Sequence, residues 1–337
     1  MINYTRRAFN KYLFTSAVSM IIPFNVSSSD LNKGMIYITV KDNKAYVNIY
    51  SLLTSSFHSI ALNFKPHGIE PLSNGHYLLI EKDGPNLAIL NVKTRKVLQK
   101  KFPGNFYGHG QYVQDMKMIL LPYLYKGKNS LAYLSPNIFE ISKKLKLSHR
   151  EKVHMITADN NNAYLCIDSE KNGRVERINL LTNEVSKISL GLNSFSPGHI
   201  FLNANESFSI VGANDNQNEI YAPIINLSKS KTTEVLSMKE KKIAFLFWKT
   251  QTDSKTKRYA VVDPGAEKIY VIDGSSRIVL EDRVKGVISI NLFNQRFYAL
   301  SNQGIYIYDP ISLKVINQIS VPDMNFLDND FHPIYLS

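Results

Sequence analysis

Asn179-Leu180-Leu181-Thr182-Asn183-Glu184-Val185 follows the apolar run that starts at Val175, and its form recurs along the chain. An apolar strand ends in Asn, Asp or Ser, a Ser or Thr stands three residues on, and an apolar residue six on. Asn91-x-x-Thr94-x-x-Val97, Asp273-x-x-Ser276-x-x-Val279 and Asp309-x-x-Ser312-x-x-Val315 repeat it in full, Ser51-x-x-Thr54-x-x-Phe57 does so with Ser at the head, and Ser135 and Asn226 head looser copies. The head side chain can bond its own backbone two or three residues on, which starts a turn and sends a second strand back beside the first. The seven heads are 36 to 47 residues apart. That period suits four short strands per unit, the signature of a β-propeller blade.

The reading predicts an all-β chain: a seven-bladed β-propeller of four-stranded blades. The blades span about 34–64, 66–102, 109–148, 152–190, 198–238, 242–285 and 287–321. Strands are expected at Tyr77–Glu81 and Leu87–Val92 in the second blade. The apolar tail Phe331–Leu336 is expected to pair with the first blade, so that N- and C-terminal strands close the ring and leave no free edge. Residues 29–337 then form one domain.

A second register runs through the same repeat. Phe106-Tyr107-Gly108-His109-Gly110 lies 42 residues after His67 of Pro66-His67-Gly68, and His154 and His199 follow at intervals of 45. The four histidines fall at or just before the first strand of blades two to five. Three or four imidazoles around one point can hold copper or iron, and zinc less favourably. The alternative is that they brace the blades. His149 is a further candidate ligand, Asp115 and Met116 candidate supporting groups, and His58, His76 and His332 read as surface or core residues.

The formal charge is +12, and removing Arg6, Arg7 and Lys11 with residues 1–28, which hold no acid, leaves +9. The lysines are scattered, with no basic stripe interleaved with aromatics, so nucleic acid is not an expected partner. A lone cysteine, Cys166, excludes an internal disulfide and a C-x-x-C site. Hydrolase, phosphate-loop and dinucleotide motifs are missing, which argues against an enzyme of a common class. Residues 5–11, Thr-Arg-Arg-Ala-Phe-Asn-Lys, precede an apolar run from Tyr12 to Phe24 and the small residues Val26-Ser27-Ser28. This is the layout of a secretory signal, too short in its apolar part to span a bilayer. The paired arginines resemble the twin-arginine export signal.

With that N-terminus, Phe106-Tyr107-Gly108-His109-Gly110 and Pro66-His67-Gly68 in place, the chain resembles a bacterial, twin-arginine-exported, propeller-like family of unknown function. Its members are often encoded beside imelysin-type and haem-containing proteins of iron uptake. The family's His-Gly-x-Gly-Pro-His stretch keeps its spacing here as His149-Arg150-Glu151-Lys152-Val153-His154, without the glycines and proline. Its Arg-His-Leu corresponds to Gly198-His199-Ile200, and its Thr-His-Pro-Asp insertion has no counterpart between Asp168 and Val175. The likeness covers about residues 60–205 and the signal. It implies a neighbourhood, iron acquisition in the periplasm, with iron-uptake proteins as candidate partners; the chain itself is expected to be a monomer with no membrane span after signal removal. Three functions stay open: metal binding through His67, His109, His154 and His199, a protein-interaction scaffold, or a metal-dependent redox enzyme.

Overall fold

The turn chemistry forms as the sequence requires. Asn179 Oδ1 accepts from the backbone N–H of Leu181 (3.0 Å) and Thr182 (2.9 Å), and Asp309 Oδ1 from Ile311 (3.0 Å) and Ser312 (2.7 Å). Asn91 Oδ1 and Ser51 Oγ accept from Thr94 and Thr54. Four residues after their heads, Ser55, Arg95, Phe139, Asn183 and Leu313 take left-handed backbone, which turns the chain back into the next strand. Asp253 and Asp263 make the same kind of turn, accepting from Thr256 (2.7 Å) and Ala266 (3.0 Å), although the repeat did not single them out. Asn226 lies within its strand, which runs on to Ser228.

The computed structural model describes residues 34–328 and 334–336, apart from 169–173, 190–194, 203–207, 217–218, 222–223, 229–230, 237–247, 250–252, 254, 276 and 294. The expected signal at 1–28 and His332 lie outside the described residues. Six antiparallel sheets are present among the described residues. The first holds β1 (Gly34–Lys41), β2 (Lys44–Ser51) and β3 (Phe57–Leu62). The second runs through β4 (Pro66–Pro71), β5 (His76–Asn91), β6 (Lys96–Tyr107), β7 (Gln111–Val113), β8 (Met118–Tyr125), β9 (Lys128–Ser135) and β10 (Glu140–Lys146). The third has β11 (Lys152–Ala158), β12 (Asn162–Asp168), β13 (Arg174–Asn179) and β14 (Val185–Ser189). The fourth has β15 (Phe195–Leu202), β16 (Phe208–Asn216), β17 (Glu219–Tyr221), β18 (Ile224–Ser228) and β19 (Lys231–Leu236). The fifth has β20 (Trp248–Lys249), β21 (Tyr259–Asp263), β22 (Lys268–Ile272) and β23 (Ile278–Arg283). The sixth has β24 (Val287–Phe293), β25 (Arg296–Ser301), β26 (Gly304–Tyr308) and β27 (Val315–Ile319). Finally β28 (Ile334–Leu336) pairs with β1, Gly34 opposite Leu336.

The second sheet departs from the expectation of two separate blades. Tyr77–Glu81 and Leu87–Val92 belong almost entirely to one strand, β5, which passes Asp83-Gly84-Pro85 through two register shifts instead of turning. Glu81 explains why: its Oε2 accepts from the backbone N–H of Asn86 (2.9 Å) and from Asn86 Nδ2 (2.7 Å), so the polar groups displaced by the bulge keep a partner. The end of β6 then pairs with β8, Phe106 opposite Tyr123, which joins the two halves of the sheet.

Alternation along the strands puts apolar side chains on both faces of each sheet, and the buried clusters lie between successive sheets. Ile38, Val47, Leu79 and Leu90 lie between the first and second. Phe106, Leu121 and Leu134 fill the join of the second sheet's halves. Leu120, Ile156 and Leu165 lie between second and third, and Cys166, Ile200 and Ile210 between third and fourth. Val262, Ile290 and Phe297 lie between fifth and sixth. Met35, Tyr37, Leu300 and Ile307 pack the sixth against the first. Side-chain bonds add to this last junction: Tyr37 Oη donates to Pro322 O (2.9 Å), and buried Asp328 pairs with Lys65 (2.9 Å) while its N–H donates to Ile38 O (2.9 Å). Among the described residues no helix is long and apolar enough to cross a membrane. Asp328→Ala should lower the unfolding free energy by about 1–3 kcal/mol, and Asp328→Asn by less, as urea denaturation followed by tyrosine fluorescence would show.

Candidate metal centre

Three of the four sequence-predicted histidines sit at or beside a register break in the first strand of their unit. Pairing passes from Pro66 opposite Glu81 to Gly68 opposite Ile80, which makes His67 the extra residue of β4. It passes from Val153 opposite Ile167 to Met155 opposite Cys166, which makes His154 the extra residue of β11. In β15 it passes from Pro197 to His199, with Gly198 extra. A bulge bends its strand and re-aims a side chain. His109 is turned differently, by Gly108 at φ 101 between β6 and β7. The same break recurs in β24, where the extra residue is Ile288, buried in an apolar cluster. The bulge therefore needs no imidazole.

These devices bring all four imidazoles together. His67 Nε2 and His109 Nε2 are 3.2 Å apart. One ring nitrogen each from His109, His154 and His199 lies within 4.8 Å of the others, and no cysteine or carboxylate joins this group among the described residues. The rings pack edge to face: His67 on His109 at 4.8 Å between centroids, His109 on His199 at 5.4 Å, and His154 on His199 at 5.2 Å. His67, His109 and His199 are buried and His154 is half-buried. The rings fit because their neighbours have no side chain. A β-carbon on Gly68 would stand 1.9 Å from Gly108 O, and one on Gly108 would stand 2.7 Å from His67 Cδ2. Burial, then the charges of His154, His67 and Lys82, hold the His199 imidazole well below its ordinary range. A neutral ring is the form that can donate its lone pair to a cation.

No protein-family model and no curated protein matches the chain. Solved structures do match. They include a chain of Kuenenia stuttgartiensis hydrazine synthase, 11% identical with a TM-score of 0.64 over 90% of this chain and 99% of that one. Virginiamycin B lyase of Staphylococcus aureus is 13% identical, with a TM-score of 0.59 over 81% of this chain and 93% of that one. The β-propeller domain of Swd1 from Myceliophteria thermophila is 12% identical, with a TM-score of 0.54 over 80% and 94%. The chain is a β-propeller. At such identities the likeness carries the fold alone.

The propeller ties its histidine strands together with a polar strap. Buried Glu70, three residues after His67, accepts through Oε1 from the backbone N–H of Tyr112 (2.5 Å) and from Gln111 Nε2 (3.0 Å). Gln111 Oε1 in turn accepts from Thr157 Oγ1 (3.4 Å). Glu70, Gln111 and Thr157 thus cross from β4 to β7 to β11, the segments that follow His67, His109 and His154. Sequence reasoning missed these three. Their signal was the histidine period carried two or three residues along.

The other candidates lie elsewhere. His149 is no ligand of the cluster: Nε2 meets Glu176 Oε2 at 3.3 Å and Nδ1 meets Glu151 Oε2 at 3.5 Å. Arg174 bridges the same two carboxylates and, as the main cause, pulls Glu151 down to about 2. Asp115 is exposed in the turn after β7, and Met116 packs on the apolar cluster against the third sheet, so neither supports the centre. His76 bonds Asn91 (2.9 Å) and Ser73 O (3.3 Å), a surface role as expected. Cys166 is fully buried, which pushes its thiol up and leaves it a core residue.

Burial raises the Glu70 carboxyl from 4.5 to about 8, so the folded protein holds that proton where the unfolded chain releases it. The contribution is fully present below pH 4.5 and is lost as pH rises through 8. Glu70→Gln, which keeps a neutral acceptor, should flatten that decline. Glu70→Ala should destabilise at all pH values by about 1–3 kcal/mol, since it strands the Tyr112 N–H. Thermal melts of wild type and both variants across this range would separate the two effects.

Proposed function

We propose that this protein is an exported, periplasmic metal-binding propeller whose centre is His67, His109, His154 and His199. In this reading it has seven four-stranded blades, the two halves of the second sheet counting separately, and β28 completes the first blade to close the ring. The histidines face one mouth of the central channel. The observation that carries the reading is the 3.2 Å between His67 Nε2 and His109 Nε2. Two nitrogens each about 2.0–2.1 Å from one ion, at ligand angles of 90–110°, are themselves about 2.9–3.4 Å apart. His154 and His199 each bring a ring nitrogen within 4.8 Å of one on His109. An all-imidazole donor set suits copper or iron, with zinc the lesser fit.

The metal rather than the bracing role is favoured because Ile288 serves the equivalent bulge of β24 without any imidazole. Four imidazoles brought together also need a reason, since burying polar rings costs free energy that an apolar residue would spare. The task of the protein is iron or copper handling in the periplasm, beside iron-uptake partners. The protein acts there as a monomer and a binding protein rather than an enzyme.

Metal analysis of protein exported natively and purified without chelator should find near-stoichiometric iron or copper, lost in the His67→Ala/His109→Ala variant. No metal in either, and none taken up on titration, overturns the reading. For the address, a reporter carrying residues 1–28 should reach the periplasm, and Arg6→Lys/Arg7→Lys should hold it in the cytoplasm. Export of that variant through the general secretory route overturns the twin-arginine assignment.

A further inference from the structure

Lysines that look scattered along the chain meet on one face of the second sheet. From Met118 to Leu147 there are five lysines and a single acid, Glu140. Residues directly opposite one another on neighbouring strands share a face. The register of β8, β9 and β10 therefore places Tyr123, Ser130 and Lys146 in one row and Tyr125 with Lys128 in the next. Lys144, opposite Ala132 and two residues before Lys146, belongs to the same face. Lys126 stands in the turn between β8 and β9. Lys126, Lys128, Lys144 and Lys146 are all exposed, and among the described residues none of them pairs with a carboxylate, since Glu140 meets Lys100 of β6 at 3.5 Å. Two tyrosines underlie the lysines. Tyr123 and Tyr125 stack with their ring planes 12° apart, Lys144 Nζ lies 4.9 Å from the first ring centroid and 4.8 Å from the second, and Lys126 Nζ lies 5.3 Å from the second. β10 is the last strand of its sheet, and lysine is a common guard on such an edge. Edge protection does not account for this set, because β3 and β27 end their sheets without a lysine.

We infer that this face docks a partner protein through a segment rich in Asp and Glu. Cation–π contact holds the Lys144 and Lys126 ammoniums in place before any partner arrives, which lessens the side-chain entropy lost on binding. The same contact disfavours other polyanions. Stacking a nucleic-acid base needs an open aromatic face, and an aromatic anchor at a lipid surface needs its ring free to enter the interface, whereas here ammoniums lie over both rings. Carboxylates need only the ammoniums, with which they form charge-assisted hydrogen bonds. The face lies at the end of the propeller that bears the histidines. Tyr107, two residues before His109, donates its hydroxyl to Asn129 Oδ1 (2.7 Å), and Asn129 O accepts from the N–H of Leu147 (3.0 Å), which sets Lys128 and Lys146 beside that end. A partner seated here stands next to the histidine centre, whether or not that centre holds a metal.

The test measures binding of a fluorescein-labelled poly-glutamate peptide to the mature protein by anisotropy at low salt, beside co-sedimentation with phosphatidylglycerol vesicles. Lys144→Glu/Lys146→Glu and Lys126→Glu/Lys128→Glu should each bind the peptide about tenfold more weakly than wild type. Lys187→Glu/Lys314→Glu makes the same charge change at exposed positions of other sheets and should stay within about twofold of wild type. Thermal melts check that the variants are folded, and the two patch variants alter a strand and a turn respectively, so loss of folding in one leaves the other to decide. Equal losses in all three variants reduce the effect to the net charge of the chain and overturn the inference, as does a wild type that binds no peptide. Vesicle binding lost in both patch variants while their peptide binding stays unchanged assigns the face to a lipid surface and overturns the protein partner.

Discussion

Every sheet here depends on having a neighbour. A four-stranded antiparallel meander with apolar residues on both faces cannot stand alone in water, and among the described residues clusters join the first four sheets in turn, the fifth to the sixth, and the sixth to the first. Tyr37 and Met35 of β1 are fully buried because Leu300 and Ile307, more than two hundred residues later, pack against them. The tail bonds through Tyr37, Lys65 and Asp328 fix that last contact. Because these junctions hold the first strands of neighbouring units in a fixed relation, residues about 42 to 45 apart can meet at one point.

The β-bulge then turns proximity into a site. A regular strand would alternate its side chains between faces, and the extra residue at His67 and at His154 breaks that alternation at one place. Close approach is possible only because Gly68 and Gly108 lack side chains, since any β-carbon there would meet the Gly108 carbonyl or the His67 ring. The glycines beside the histidines are therefore part of the centre's geometry. They act by removing volume, and the strap of Glu70, Gln111 and Thr157 acts by adding bonds across the same three strands.

How much of this could be read from the chain follows from how local each signal is. The turn heads were legible because an Asn or Asp side chain bonds its own backbone within three residues, and Asn91, Asn179 and Asp309 do so. The meeting of the histidines was legible because their spacing equals the period of the fold. The continuity of β5 was not: Asp83-Gly84-Pro85 has the composition of a turn, and what keeps the strand running is a bond from Asn86 back to Glu81 that only the folded register reveals. The strap was hidden for a related reason. Glu70 and Gln111 are 41 residues apart, and their pairing depends on which way the strands face. His149 misled because its sequence neighbour His154 does belong to the centre, while Glu176, its partner in space, arrives from a different strand.

The strap also bears on the charge of the centre. A carboxylate three residues from His67 would be the obvious counter-charge for a metal ion, yet Glu70 points its acceptor at Tyr112 and Gln111 and is held there by burial that favours its protonated form. The one acid on the histidine strands that could have neutralised a bound cation is thus spent on holding those strands together. Arg174 and His149 draw Glu151 and Glu176 into a separate cluster in the same way. With its acids turned aside, the centre is an all-imidazole one among the described residues.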